Sequence, residues 1–435
     1  MSSMPNFVGK SVTRYDGIGH VTGRTVYVDD IEYPGMLYIK VLRSPVHKGV
    51  IRNLDVSRAE SSPGVAGVIT AKDVPGANSY GMYGDQQVLQ DKQIRYKGER
   101  IAAVAAVDED TAMEALDRIK LEIDEEEPVL DPFESLKQEK SMGRPEGNLW
   151  TGFNGGTVHR VIVGDVEKAL AGADHVVQGK YTTAFNEHAP MEPQCSVALI
   201  DPTDRLVIHT CSQDHYFHLT MLSGVFGQPM NKIRYVGGTV GGGFGSKNDI
   251  HCDHVAGVMA LKLRRPVKYR LTRKEEMLYT TKRGYFFLEY TDGVMNDGRI
   301  VARKIRTIHD TGAYGGMGPY AVEKNSILIG GPYRIPNFAL EGMCVFTNKP
   351  TGSSMRGFAV INGTSTVEIQ MDRIAEKLGI DPWEFRFINA WRDGDLGATQ
   401  FKVEAAAAFE VMHKAADLAG IELPPKLKSM NSQRR

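Results

Sequence analysis

Gly237-Gly238-Thr239-Val240-Gly241-Gly242-Gly243-Phe244-Gly245-Ser246-Lys247 is the stretch on which the reading of this chain turns. Six glycines fall within the nine residues 237–245, directly after an expected strand that ends at Val236. Residues without a Cβ let backbone approach a ligand closely and aim amide N–H groups at an anion. The glycine spacing does not match a dinucleotide loop, since neither a helix nor a ribose-binding acid follows at the required distance. Nor is it a P-loop, because the residues around Lys247 are in the wrong order. A structural hinge is the simpler alternative. One phenyl ring set among the glycines argues instead for a ring presented to a flat ligand beside oxygen-binding backbone.

Working outward, Ser353-Ser354-Met355-Arg356-Gly357-Phe358 again places a planar cation beside glycine and an aromatic ring. Its arginine is suited to forking onto an anionic group, with a surface turn as the competing reading. Asn186-Glu187-His188-Ala189-Pro190-Met191-Glu192-Pro193 flanks a histidine with carboxylates, as acid–base chemistry requires. Its two prolines favour a rigid turn, and no partner nucleophile accompanies it. Two His-x-x-His pairs, His215/His218 and His251/His254, lack an evident third ligand, so metal binding is not expected there. No nucleophile-elbow signature is present.

The chain has 435 residues, 42% hydrophobic and 24% charged, enough for two or three domains of a globular protein. Fifty-two basic residues against 53 acidic ones leave a net charge of -1, without the basic excess of a nucleic-acid binder. The run Ile101 to Val107 is too short to span a membrane, and no secretory leader opens the sequence. Four scattered cysteines exclude a Cys-x-x-Cys metal site or a disulfide framework, so a cytoplasmic location is expected.

Strands are expected at Met36–Val41, Val65–Thr70, Lys120–Ile123, Arg205–Thr210 and Lys232–Val236, with the acids Asp124 to Glu127 on a solvated edge. Helices are expected after the Asp108–Asp110 cap, at Asp165–Leu170, at Thr364–Leu378 stopped by Gly379, after Asp381-Pro382, and at Lys402–Leu418 before a basic end at Arg434-Arg435. Residues 137–156 read as a linker. The fold class is α+β, with a smaller N-terminal and a larger C-terminal domain.

Together these segments resemble the molybdenum hydroxylases, the family of xanthine dehydrogenase, aldehyde oxidase and nicotinate dehydrogenase. Val28-Asp29-Asp30, Arg43-Ser44-Pro45, Thr70-Ala71-Lys72-Asp73-Val74-Pro75-Gly76 and Gly98-Glu99-Arg100 look like its α/β hammerhead domain. The glycine loop and Arg356-Gly357-Phe358 look like its first molybdopterin-binding domain. The resemblance implies a hammerhead domain at residues 1–145 and a molybdopterin-binding domain at 146–435.

By that resemblance Gln213 hydrogen-bonds an oxo group on molybdenum. Phe244, Gly245 and Arg356 line the cofactor site, and Phe244 and Phe358 hold a heteroaromatic substrate. Asn248 stands where xanthine dehydrogenases carry a glutamate, and Lys324 where they carry an arginine, counting back from Tyr333-Arg334-Ile335-Pro336-Asn337. An amide with a lysine suits an electron-poor or anionic N-heterocycle such as a pyridine carboxylate. The implied cofactor is molybdopterin with molybdenum, in plain form or as its cytosine dinucleotide. The implied partners are a second molybdopterin-binding subunit carrying the catalytic glutamate, an iron–sulfur subunit and an FAD subunit. No residue of this chain is expected to act as the general base. The nicotinate dehydrogenase large molybdopterin subunit is the nearest pattern. A purine or aldehyde hydroxylase, and a scaffold subunit without a working cofactor, are the alternatives.

Overall fold

The strand Arg100–Ala106 is apolar and buried from Ile101 onward, the pattern of a strand covered on both faces. In the computed structural model, which describes residues 9–154 and 156–432, it lies between Leu37–Arg43 and Val65–Ile69. Leu37–Arg43 pairs on its other side, in parallel, with Val267–Arg270. Cys195–Ile200, Leu206–Thr210 and Ile233–Gly237 complete a seven-stranded sheet. One sheet is therefore built from both sides of the expected domain boundary. The helix Asp253–Leu263 packs on it, burying Val255, Ala256, Val258 and Met259 against Leu37, Ile39, Ile208 and Phe226.

A second, five-stranded sheet runs in the order His159–Val163, Asn337–Val345, Ile300–Asp310, Tyr285–Val294, His175–Thr182. Phe286, Leu288 and Tyr290 alternate along one strand and face a core shared with the helices Gly318–Leu328 and Val360–Leu378. The stripe Val367, Met371, Ile374 and Ala375 is buried as its spacing requires, and Gly379 closes the helix at φ 66°. The helix opens at Val360, about a turn before the expected start. Beneath it Arg303 and Asp292 are wholly buried, joined Nε to Oδ1 at 2.6 Å, and Gln370 Nε2 donates to the other carboxylate oxygen at 2.8 Å.

The remaining expected strands stand within a residue or two of their reading. Lys120–Glu125 forms the edge of a three-stranded sheet and leaves Asp124 and Glu125 exposed. Asp108, Asp165 and Asp381 each cap a helix through the side chain.

Two expectations are corrected. The described residues of 138–156 hold no helix or regular strand, yet they are not a free linker. Asn148 is buried there, donates to the Lys140 carbonyl at 2.7 Å and accepts from Met142 N–H at 3.0 Å. The last long helix spans only Ala408–Ala419. Ahead of it Gly394 and Asp395 exchange backbone hydrogen bonds with Val403, Asp393 takes the Ala406 amide, and Ala405 turns left-handed at φ 53°. Those bonds win over the helix propensity of the alanines. Arg434 and Arg435 lie outside the described residues. No described helix is long and apolar enough to cross a membrane.

Candidate functional site

Leu206–Thr210 and Ile233–Gly237 run in parallel, with Thr210 opposite Gly237, so both chains leave the sheet at the same end. One continues into Cys211-Ser212-Gln213, the other into the glycine loop. Gln213 N–H donates to the Lys247 carbonyl at 2.8 Å, and Gly245 N–H donates to Gln213 Oε1 at 3.0 Å. Because an N–H must meet the oxygen of the amide, the Nε2 of this exposed side chain is left to donate outward. A Cβ on Gly243 would overlap Gln213 Oε1, so only glycine lets that side chain lie down on the loop.

The loop is stitched to the 353–358 segment. Arg356 N–H donates to the Phe244 carbonyl at 2.8 Å, and Asn248 Nδ2 donates to Ser354 Oγ at 3.3 Å. Gly245, at φ 105°, has no room for a Cβ, which would stand 2.8 Å from the Ser354 carbonyl oxygen. Phe244 takes the left-handed region at φ 57° and is 45% exposed. A non-glycine residue there costs about 1–2 kcal/mol, met here by the bonds on either side. The amides of Gly242, Gly243 and Phe244 bond to nothing among the described residues, and the exposed Arg356 guanidinium has no ion pair there.

Gln213, Phe244, Gly245, Asn248 and Arg356 thus form one contiguous patch. Phe358 is half-buried two residues beyond Arg356, its ring 5.6 Å from that of Tyr320. Lys324 follows Tyr320 by one turn of the helix Gly318–Leu328, with no hydrogen bond or ion pair to the patch among the described residues. Asn248 also borders a small cavity lined by Met82, Phe217, Met221 and Met317.

The groups beneath the patch are occupied. His218 accepts or donates at Ser212 Oγ (2.9 Å) and donates from Nε2 to the Asn248 carbonyl at 2.8 Å. His188, whose pKa burial lowers, donates to the Ser354 carbonyl at 2.6 Å. Asp249, whose carboxyl burial pushes up, accepts from Thr281 at 2.9 Å and Ser353 at 3.1 Å. Glu187 pairs with Lys282, and Glu192 with Lys247. The 186–193 segment braces the loops, as its prolines suggest. His251 and His254 are buried, and no group of three or more metal-ligating side chains occurs among the described residues. Sequence reasoning does not reach the bracing role of His218 or the Glu192–Lys247 pair. The only signal for the pair is a charge inside each of two unusual segments.

Residues 152–390 match the molybdopterin cofactor-binding domain model, and residues 22–127 match that of the aldehyde oxidase and xanthine dehydrogenase a/b hammerhead domain. The chain belongs to the molybdenum hydroxylase family. Among hydroxylase relatives, a nicotinate dehydrogenase large molybdopterin subunit of Eubacterium barkeri is 31% identical over 95% of this chain and 96% of its own length. A probable xanthine dehydrogenase subunit of Bacillus subtilis (strain 168) is 36% identical over 90% of this chain and 52% of its own. Among solved hydroxylases, the aldehyde oxidoreductase from Desulfovibrio gigas superposes with a TM-score of 0.89 at 27% identity, over 93% of this chain and 46% of that one. Quinoline 2-oxidoreductase from Pseudomonas putida 86 gives 0.88 at 26%, over 95% and 54%. The chain thus spans about half the length of several hydroxylases it matches.

Proposed function

We propose that this chain is the large molybdopterin subunit of a hydroxylase that inserts oxygen from water into an electron-poor N-heteroaromatic ring of the nicotinate type. One observation carries the reading. The patch gathers unpaired donors: three loop amides, the outward Nε2 of Gln213 and the exposed Arg356 guanidinium. Such a set fits an oxygen-rich, negatively charged group, as molybdopterin is. When bound, that cofactor supplies the two-electron oxidation of carbon.

The chain's own residues then have distinct tasks. Gln213 donates its amide to an oxygen of the cofactor, and Arg356 lines its site. Phe244 and Phe358 hold the substrate ring, each offset stack adding about 0.5–1.5 kcal/mol beyond burial. Asn248 hydrogen-bonds a ring nitrogen or carboxylate. Lys324 opposes negative charge that builds on the ring, a preorganised electrostatic contribution. The carboxylates beneath the patch, Glu192 and Asp249, are already engaged by Lys247, Ser353 and Thr281. That supports a general base supplied by a partner molybdopterin subunit, with iron–sulfur and FAD subunits carrying electrons away.

A purine substrate is the second reading, favoured by the 36% identity to the xanthine dehydrogenase relative. Nicotinate, hypoxanthine, xanthine and benzaldehyde assayed with the purified native assembly separate the two. The proposal expects the highest kcat/KM on nicotinate; preference for xanthine overturns it.

A further inference from the structure

We propose that Glu192 is a positioning residue whose carboxylate clamps the two ends of the 241–247 segment of the glycine loop and thereby aims the Gln213 amide. A single oxygen, Oε2, accepts from Gly241 N–H at 2.7 Å, where the segment 241–247 begins, and from Lys247 Nζ at 2.6 Å, where it ends. The Glu192 backbone adds a third tie, its N–H donating to the Gly241 carbonyl at 3.0 Å. Lys247 in turn offers its own carbonyl to Gln213 N–H at 2.8 Å. A continuous chain of bonds therefore runs from one buried carboxylate to the side chain that faces the cofactor.

The surroundings hold the clamp in place. The Lys247 side chain is completely buried and that of Glu192 is 9% exposed, so water does not compete for either. The other carboxylate oxygen, Oε1, is buried and unpartnered, which leaves all of its hydrogen bonding directed at the loop through Oε2. Arg273 fixes the preceding residues, donating to the Pro190 carbonyl and to Met191 O at 3.2 Å. Burying such a pair gives little net stability, because desolvation offsets the Coulomb attraction, and two apolar side chains would fill the same space at least as well. What apolar side chains cannot supply is an acceptor shared by Gly241 and Lys247. Registry of the loop is the property that depends on the charge.

The inference rests on the proposed function only for what Gln213 faces, and its test reads the loop directly. Hydrogen–deuterium exchange is measured on the full chain for wild type, Glu192→Gln and the double variant Glu192→Met/Lys247→Met. The double variant removes both charges at similar volume and so keeps the test open if Glu192→Gln alone fails to fold. In the double variant the hydrogen-bonded amides of this segment, those of Gly241, Gly245 and Ser246, are expected to exchange roughly tenfold faster, while Val360–Leu378 stays at the wild-type rate. In the native assembly the same variant keeps KM and loses roughly tenfold in kcat, as expected of a misaimed group rather than a lost binding contact. Wild-type exchange of those three amides in the double variant overturns the clamp. Fast loop exchange in the double variant, beside a wild-type assembly inactive on every heterocycle, would support the clamp and overturn the proposed reaction instead.

Discussion

Replacing Gly243 by alanine separates the geometry of the site from the stability of the fold. A Cβ there would overlap Gln213 Oε1 and stand 2.8 Å from its Cδ. The backbone at Gly243 is outside the left-handed region, so the added methyl meets its obstacle only in that side chain. Gln213 is exposed and swings aside, breaking its bond from Gly245 N–H. Loss of that bond costs about 1 kcal/mol, and the stiffer unfolded chain returns about 0.4–1 kcal/mol. The melting temperature should therefore move by no more than about 2 °C. The Gln213 amide, however, is displaced by roughly 1 Å or more, a misplacement that can cost about 100-fold in rate. Gly245→Ala is the control. Its φ of 105° and its contacts with Ser354 O (2.8 Å) and Met355 Cα (2.9 Å) involve backbone that cannot swing away. It should lose about 1–3 kcal/mol of stability. Thermal melts of both variants, with kcat/KM of the assembly on its best substrate, test the reasoning. It is refuted if Gly243→Ala keeps kcat/KM within twofold of wild type, or melts as low as Gly245→Ala.

Three further outcomes are expected. Asp292→Ala strands the fully buried Arg303 guanidinium and should lower stability by about 3–5 kcal/mol in urea titrations; a loss under 1 kcal/mol would contradict the buried pair. Burial pushes the Glu99 carboxyl up to about 7 although Tyr314 and the Arg95 amide bond it, so the folded chain holds a proton that the unfolded chain has released. Stability should fall as pH rises from 4.5 to 8, Glu99 accounting for roughly 3 kcal/mol of the change. Glu276, also held near 7 by burial, titrates in the same range, so the quantity to measure is the difference between wild type and Glu99→Gln; parallel pH curves would refute the assignment. Lys324→Ala should lower kcat and kcat/KM on nicotinate together, about tenfold, and a variant that keeps full kcat/KM would remove its proposed role.

Much of the site was legible because its parts are local. Glycine needed at 243 and 245, a ring at 244 and a planar cation at 356 all stand in short segments of unusual composition. The stripe on Val360–Leu378 and the aspartate caps were readable for the same reason, since a period or a cap spans only a few residues. What joins distant segments was not. Leu37 pairs with Val267, merging the hammerhead strands into the sheet that carries the glycine loop, and no local pattern encodes that parallel register. The Glu192–Lys247 clamp likewise closes only after folding brings residues 55 positions apart together. The final helix was overextended because alanine propensity at 405–407 was weighed without the long-range bonds of Asp393, Gly394 and Asp395.

Cryo-electron microscopy of the native assembly at side-chain resolution bears most directly on the cofactor reading. Density for a molybdopterin should abut the glycine loop, with Gln213 Nε2 and the Arg356 guanidinium turned toward it. A pterin bound elsewhere, or a partner chain packed directly onto Phe244 and Gln213 so that no group fits between, would contradict it.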